Sequence, residues 1–202
     1  MNTDKILVWD LPTRVFHWLL ATSFVGAFVT AESEHFRDVH VVLGYTVAGL
    51  IGFRLLWGMI GTRYANFRSF VFGPRAVLEY LISLFTRTPE LYVGHNPVGS
   101  WAIWTLLALG LLSAGSGYAV YSDLGGEWLE EVHEALSNTM LAVVAVHIAG
   151  VLLSSLLHRE NLVSAMITGY KHGVQAEAVH RTHWIAGILL AASVGAYWAG
   201  VF

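Results

Sequence analysis

The stretch 133–147, HEALSNTMLAVVAVH, places a histidine at each end of an almost uncharged apolar run. On an α-helix, fourteen residues bring the second side chain back to within about 40° of the first and about 21 Å further along the axis. His133 and His147 therefore share a face but cannot share a ligand. Two more histidines, His17 and His40, lie in earlier apolar stretches. An imidazole offers a nitrogen lone pair to a transition metal, and inside an apolar span it is costly unless its nitrogens find partners. The chain has ten histidines and no cysteine. Disulfides, zinc–thiolate sites, iron–sulfur clusters and C-x-x-C-H attachment of haem are thereby excluded, so any redox centre is held by other ligands.

The elements that must position these histidines are apolar and long. Of 202 residues, 55% are hydrophobic and only 12% charged, with a mean hydropathy of +0.58, which points to a membrane protein rather than a soluble domain. Five stretches, 14–31, 39–60, 99–122, 133–157 and 183–202, are long enough to cross a hydrocarbon core of about 30 Å. Helix is the structure that satisfies their backbones there, so the expected fold is all-α. The N-terminal MNTDKILVWDLPTR reads as a short cytoplasmic head, not a cleaved signal. The polar stretch 61–98 cannot span. Within it, Pro74 is placed to open a short amphipathic surface helix carrying Arg75 and Glu79.

Lysine and arginine set the orientation. With the N-terminus inside, the inner segments and adjoining helix ends carry Lys5, Arg14, Arg54, Arg63, Arg68, Arg75, Arg87, Arg159, Lys171 and Arg181, against Arg37 alone outside. That asymmetry predicts a cytoplasmic N-terminus and, after five spans, a periplasmic C-terminus. The outer loops are acidic, with Glu32, Glu34 and Asp38 in the first and Asp123, Glu127, Glu130, Glu131 and Glu134 around the second.

Directions along the spans sort the four histidines by depth. His40 and His133 fall near the outer face; His17 and His147 fall nearer the inner face. Each level receives one imidazole from each of two helices. The plain alternative is that these histidines cap helix ends or hydrogen-bond across the bundle. Zinc or copper normally takes three or four ligands, with carboxylate or thiolate company that is missing at the depth of His147. Haem iron takes two axial ligands on opposite sides of a flat ring, which opposing helices can supply. Without cysteine such a haem is non-covalent, hence b-type, and two histidines per iron favour electron transfer over oxygen chemistry. Gly44 and Gly150, about one turn beyond His40 and His147, either admit a porphyrin edge or pack helices together. Arg14 and Arg54 are candidate partners for haem propionates; Arg54 reads equally as one more inner basic residue.

RVFHW (14–18), HVVLGY (40–45) with FRLLWG (53–58), GHNPVG (94–99), and HEALSNTMLAVVAVHIAG (133–150) with HRENLVSAMITGYK (158–171) together resemble the prokaryotic cytochrome b561 family, which includes b-type cytochrome subunits of nickel–iron hydrogenases. The resemblance covers roughly residues 8–173. It implies a four-helix bundle in the bacterial inner membrane, two haem b groups, and electron transfer between membrane quinone and a redox partner. It implies axial ligands at His17 and His147 for the inner haem, and at His40 and His133 for the outer one. His95 and Asn96 match a family motif at the inner end of the third span and are candidate quinone contacts, or else simply start that helix. Residues 1–173 form the expected di-haem domain. Residues 174–202, a polar linker and a fifth transmembrane helix, lie beyond the resemblance. His183 at the inner end of that helix is expected to be interfacial.

The leading expectation is an electron conduit between the quinone pool and a periplasmic or membrane-bound partner. The acidic outer face suits a basic carrier such as a c-type cytochrome, while a hydrogenase is the partner the resemblance suggests. A superoxide oxidase reducing ubiquinone is the enzyme alternative, weakened by Arg37 being the single outer cation. A histidine-based metal or proton transporter is the third. Lipid is an expected partner, nucleic acid is not, and the oligomeric state is left open.

Overall fold

The computed structural model describes residues 4–86 and 90–200. Arg87 and the last two residues of the expected fifth span, 201–202, lie outside the described residues. Four helices form the main bundle: α1 (Leu11–Thr30), α2 (Arg37–Ile60), α4 (Pro97–Tyr121) and α5 (Trp128–His158). Short elements lie between and after them: α3 (Pro74–Ser83), α6 (Leu162–Thr168) and the closing α7 (Trp184–Trp198).

Helix starts follow local chemistry. Asp10 caps α1 by accepting from the Thr13 N–H at 2.9 Å, with Pro12 in the first turn. Asn96 does the same for α4, accepting from Gly99 N at 2.7 Å ahead of Pro97. Both satisfy N–H groups that a helix start leaves unpaired. α5 begins with Glu130 and Glu131 in its first turn, where carboxylates oppose the positive end of the helix dipole. It then runs unbroken for 31 residues, so His133 and His147 stand on one continuous helix. α3 opens at Pro74 as expected, and Arg75 pairs with Glu79 at 2.8 Å on its exposed face.

α1 packs on α2 and α7, α2 on α4, and α4 on α5. The centre is a cluster of Phe16, Phe24, Val47, Leu50, Ile51, Leu107 and Met140, one or more from each long helix. Gly110 lets α4 approach α2: a Cβ there would stand 2.6 Å from the Ile51 methyl. Outside this core, large apolar side chains such as Val146, Leu152 and Leu156 are exposed, as expected where the surrounding solvent is lipid.

Three features differ from the expectation. First, the fold is not purely helical. β1 (Asp4–Leu7) and β2 (Tyr170–Gly173) form an antiparallel ribbon in which Lys5 faces His172 and Leu7 faces Tyr170. Ile6, Leu7, Val8 and Trp9 thereby reach a second core with Tyr64, Ala165 and Val179. Four-residue strands carry too little alternation to be read from sequence.

Second, three described helical stretches are long and apolar enough to cross a membrane: Glu34–Ile60, Pro97–Tyr121 and Trp128–His158. α1 is long enough but interrupted by Arg14 and His17, while α7 has 15 described residues, about 22 Å.

Third, α7, for which the resemblance implies no packing, is joined to the bundle. The Leu11 N–H donates to Thr182 O at 2.9 Å, Trp198 Nε1 donates to Thr46 Oγ1 at 2.9 Å, and a Cβ on Gly187 would collide with Leu11.

Candidate functional site

At one end of the bundle, His40 of α2 and His133 of α5 face each other with ring centroids 6.2 Å apart and planes at 89°. The Nδ1 of His40 lies 2.8 Å from the carbonyl of Ala27 on α1. The Nδ1 of His133 lies 3.0 Å from the carbonyl of Ser113 and 3.2 Å from Ser116 Oγ, both on α4. A carbonyl accepts only, so it fixes the proton on Nδ1 and leaves the Nε2 lone pair free to bind a metal. An imidazole nitrogen sits about 2 Å from a first-row metal, so two rings on opposite sides of one ion have centroids about 6 Å apart. The observed separation fits an axial pair.

Close passage of α4 beneath His133 depends on Gly117, where a Cβ would stand 2.8 Å from the imidazole Cε1. The sequence reading singled out Gly44 and Gly150 instead. A Cβ on either would meet nothing within 4 Å, so helix packing does not account for them and the space beside each is open.

The deeper level is built differently. His17 of α1 and His147 of α5 lie within electrostatic range of one another, and both lie within range of His95. Among the described residues, the enclosed Nδ1 of His17 has no hydrogen-bond partner; nor do Arg14 Nε, Arg54 Nη1 and His95 Nδ1. Arg54 is only 3% exposed. Its guanidinium lies 4.7 Å from the Phe67 ring centroid and 5.7 Å from that of Phe70, so it is not merely another basic residue at the membrane surface. A buried guanidinium with an unspent N–H is costly unless an anionic group meets it. Arg14 spends Nη1 on the Ile167 carbonyl at 2.6 Å. These donors fit a ligand with carboxylates, as haem propionates are. Among the described residues no three of His, Cys, Asp and Glu gather as they would around a bare metal ion.

His95 is held between Trp9 and Phe70, with ring centroids at 4.6 and 4.4 Å. Burial, reinforced by Arg54 and Lys171, pushes its pKa down to about 3. Asn96 spends its Oδ1 on the α4 cap, and its carbonyl accepts from Ser100; here the helix-start reading describes what the side chain does. His183 is exposed and set edge-on to Trp57 at 5.4 Å.

Two residues that sequence reasoning missed support this level. Asp10, 1% exposed, accepts from Trp57 Nε1 at 3.0 Å and Thr62 Oγ1 at 2.8 Å besides capping α1. It joins the start of α1 to the end of α2, and D-L-P before an apolar run was its signal. Lys171, also buried, donates to the carbonyls of Tyr92 and Val93 at 3.1 Å and pairs with Glu160 at 3.2 Å, fixing the strand of chain that leads into His95. No local pattern marks it.

The prokaryotic cytochrome b561 family model matches residues 8–169. Among curated relatives, a probable Ni/Fe-hydrogenase B-type cytochrome subunit of Rhizobium leguminosarum bv. viciae is 25% identical, the match covering 84% of this chain and 90% of the relative. The protein of the same description from Rhodobacter capsulatus is 23% identical, with 83% and 81% covered. A probable Ni/Fe-hydrogenase 1 B-type cytochrome subunit of Escherichia coli (strain K12) is 20% identical, with 84% and 92% covered. No solved structure matches the chain. The matched span takes in the whole of α1, α2, α4 and α5 with all four histidines, and the chain belongs to the prokaryotic cytochrome b561 family.

Proposed function

We propose that this chain is a di-haem b-type membrane cytochrome carrying electrons between the quinone pool and a redox partner at the opposite membrane face. The observation that carries the proposal is the His40–His133 pair, opposed at 6.2 Å and anchored through both Nδ1 atoms. A second histidine on the same face of α5, fourteen residues on, lies within electrostatic range of His17 at another depth.

His40 and His133 would hold the outer haem; His17 and His147 would hold the inner one. Bound haem supplies a one-electron carrier at each level. The protein's contribution is position and charge. The carbonyls of Ala27 and Ser113 keep two of the imidazoles in the ligating tautomer, and the bundle sets the two levels about 21 Å apart along α5. Arg54, with Arg14 Nε, would meet the acidic edge of the inner group. His95, neutral and within electrostatic range of both inner histidines, is the candidate contact for a quinone head group.

The reading includes α1 and α7 as further membrane crossings, giving four core spans plus one. The basic inner segments support an N-terminus inside and a C-terminus outside. The outer acidic loops support a partner with a basic docking face, such as a c-type cytochrome. The names of the relatives support a Ni/Fe hydrogenase as that partner. A reduced-minus-oxidised spectrum of the purified protein with haem quantification tests the proposal. Two haem b per chain, reducible by quinol, is the expected result.

A further inference from the structure

α6 ends between the N-terminal segment and α1, and its last carbonyls are met from that side. Helix C-termini leave their final carbonyls without intrahelical donors. Here the Met166 carbonyl accepts from Trp18 Nε1 at 3.4 Å, and the Ile167 carbonyl from Arg14 Nη1 at 2.6 Å. Gly169 O accepts from the N–H groups of Val8 and Trp9 at 2.8 and 3.1 Å. Arg14 and Trp18 are three residues before and one after His17, so they grip α6 from either side of that histidine. The Arg14 cation also opposes the negative end of the α6 dipole. In turn α6 is fastened to the end of α5: Glu160 N donates to Ser155 O at 3.2 Å, and Leu162 N donates to Ser155 Oγ at 3.2 Å.

From this chain of contacts we infer that Arg14 and Trp18 are positioning residues, clamping the His17 end of α1 through α6 to the helix that carries His147. The inference rests on the reading of His17 and His147 as an axial pair. It goes beyond that reading in assigning what sets their separation. The outer pair is held by carbonyls of its own neighbours and does not depend on this clamp.

The test uses the full chain purified in detergent, with Arg14→Met, Arg14→Lys and Trp18→Phe beside the parent. Hydrogen exchange across 162–170 is read by mass spectrometry and does not depend on haem. Electron paramagnetic resonance reads each low-spin ferric centre separately. In Arg14→Met, loss of a charge-assisted bond is expected to speed exchange across 162–170 about tenfold. One of the two ferric signals should shift while the other stays, and Arg14→Lys should restore both readouts in part. Because Arg14 Nε is also placed at the acidic edge of the inner group, Trp18, which has no such role, separates clamping from direct contact. Trp18→Phe, which removes one N–H and keeps the ring plane, should act in the same direction more weakly, and it decides the matter if Arg14→Met does not fold. Unchanged exchange, or equal disturbance of both ferric signals, overturns the proposal. Accelerated exchange in the variants, when the parent itself lacks two low-spin signals, instead contradicts the axial pairing while leaving the clamp demonstrated.

Discussion

His40 and His133 meet from different helices at 6.2 Å, and each is turned toward the other by a main-chain carbonyl on a third or fourth helix. Ala27 of α1 orients His40, and Ser113 of α4 orients His133. All four long helices therefore take part in holding one pair of histidines. That arrangement asks for rigidity more than for reactivity, as the proposed electron-transfer role requires.

Gly117 is the backbone position on which the outer pair depends. Gly117→Val would drive a branched side chain into the His133 ring, because even a Cβ lies 2.8 Å from Cε1. The expected outcome is loss of about one haem per chain with the other retained, read by pyridine haemochrome assay. Retention of both haems with unchanged spectra would show that α4 yields easily there.

Arg54 should tune the inner haem. Replacing this buried cation by Met removes a charge that favours the reduced state, so the midpoint potential of one haem should fall. A shift on the order of 50–100 mV corresponds to a charge interaction of about 1–2 kcal/mol at an effective dielectric near 20. Redox titration followed optically checks it; Arg54→Lys should shift less.

Asp10→Ala removes a helix cap and leaves the Trp57 N–H and Thr62 hydroxyl without their acceptor. The expected destabilisation is about 2–4 kcal/mol, measured by thermal unfolding in detergent. Asp10→Asn keeps an acceptor oxygen and should cost less.

These residues show what was legible in the sequence. The histidine spacing, the absence of cysteine and the apolar runs located α2, α4, α5 and the four candidate ligands, since each signal is periodic or compositional. Gly117, Lys171 and the second role of Asp10 beyond its helix cap are not legible, because their importance arises where distant segments meet: Asp10 with Trp57, Gly117 with His133, Lys171 with Tyr92 and Val93. The ribbon of β1 and β2 escaped for the same reason, as its pairing joins residues more than 160 apart in the chain. Arg54 reads from sequence equally as a propionate partner and as one more inner basic residue, because the burial that separates the two comes from Phe67 and Phe70, which lie beyond its own helix.

His95 gives the fold an acid limb. Its pKa is near 3 in the folded protein, against about 6.5 when unfolded. The unfolded chain therefore binds the proton first, and stability should fall as pH drops from about 6.5 toward 3. His95→Phe should flatten that part of the profile in detergent-solubilised protein. An unchanged slope would mean that other groups carry it.

The most direct test of the account counts haem in the parent, His40→Ala and His147→Ala proteins. Two haem b in the parent and about one in each variant, with different midpoint potentials for the haem that remains, is the predicted result. Full haem content in either variant, or a parent without b-type absorption bands after dithionite, would contradict the assignment of these histidines as axial ligands at two levels.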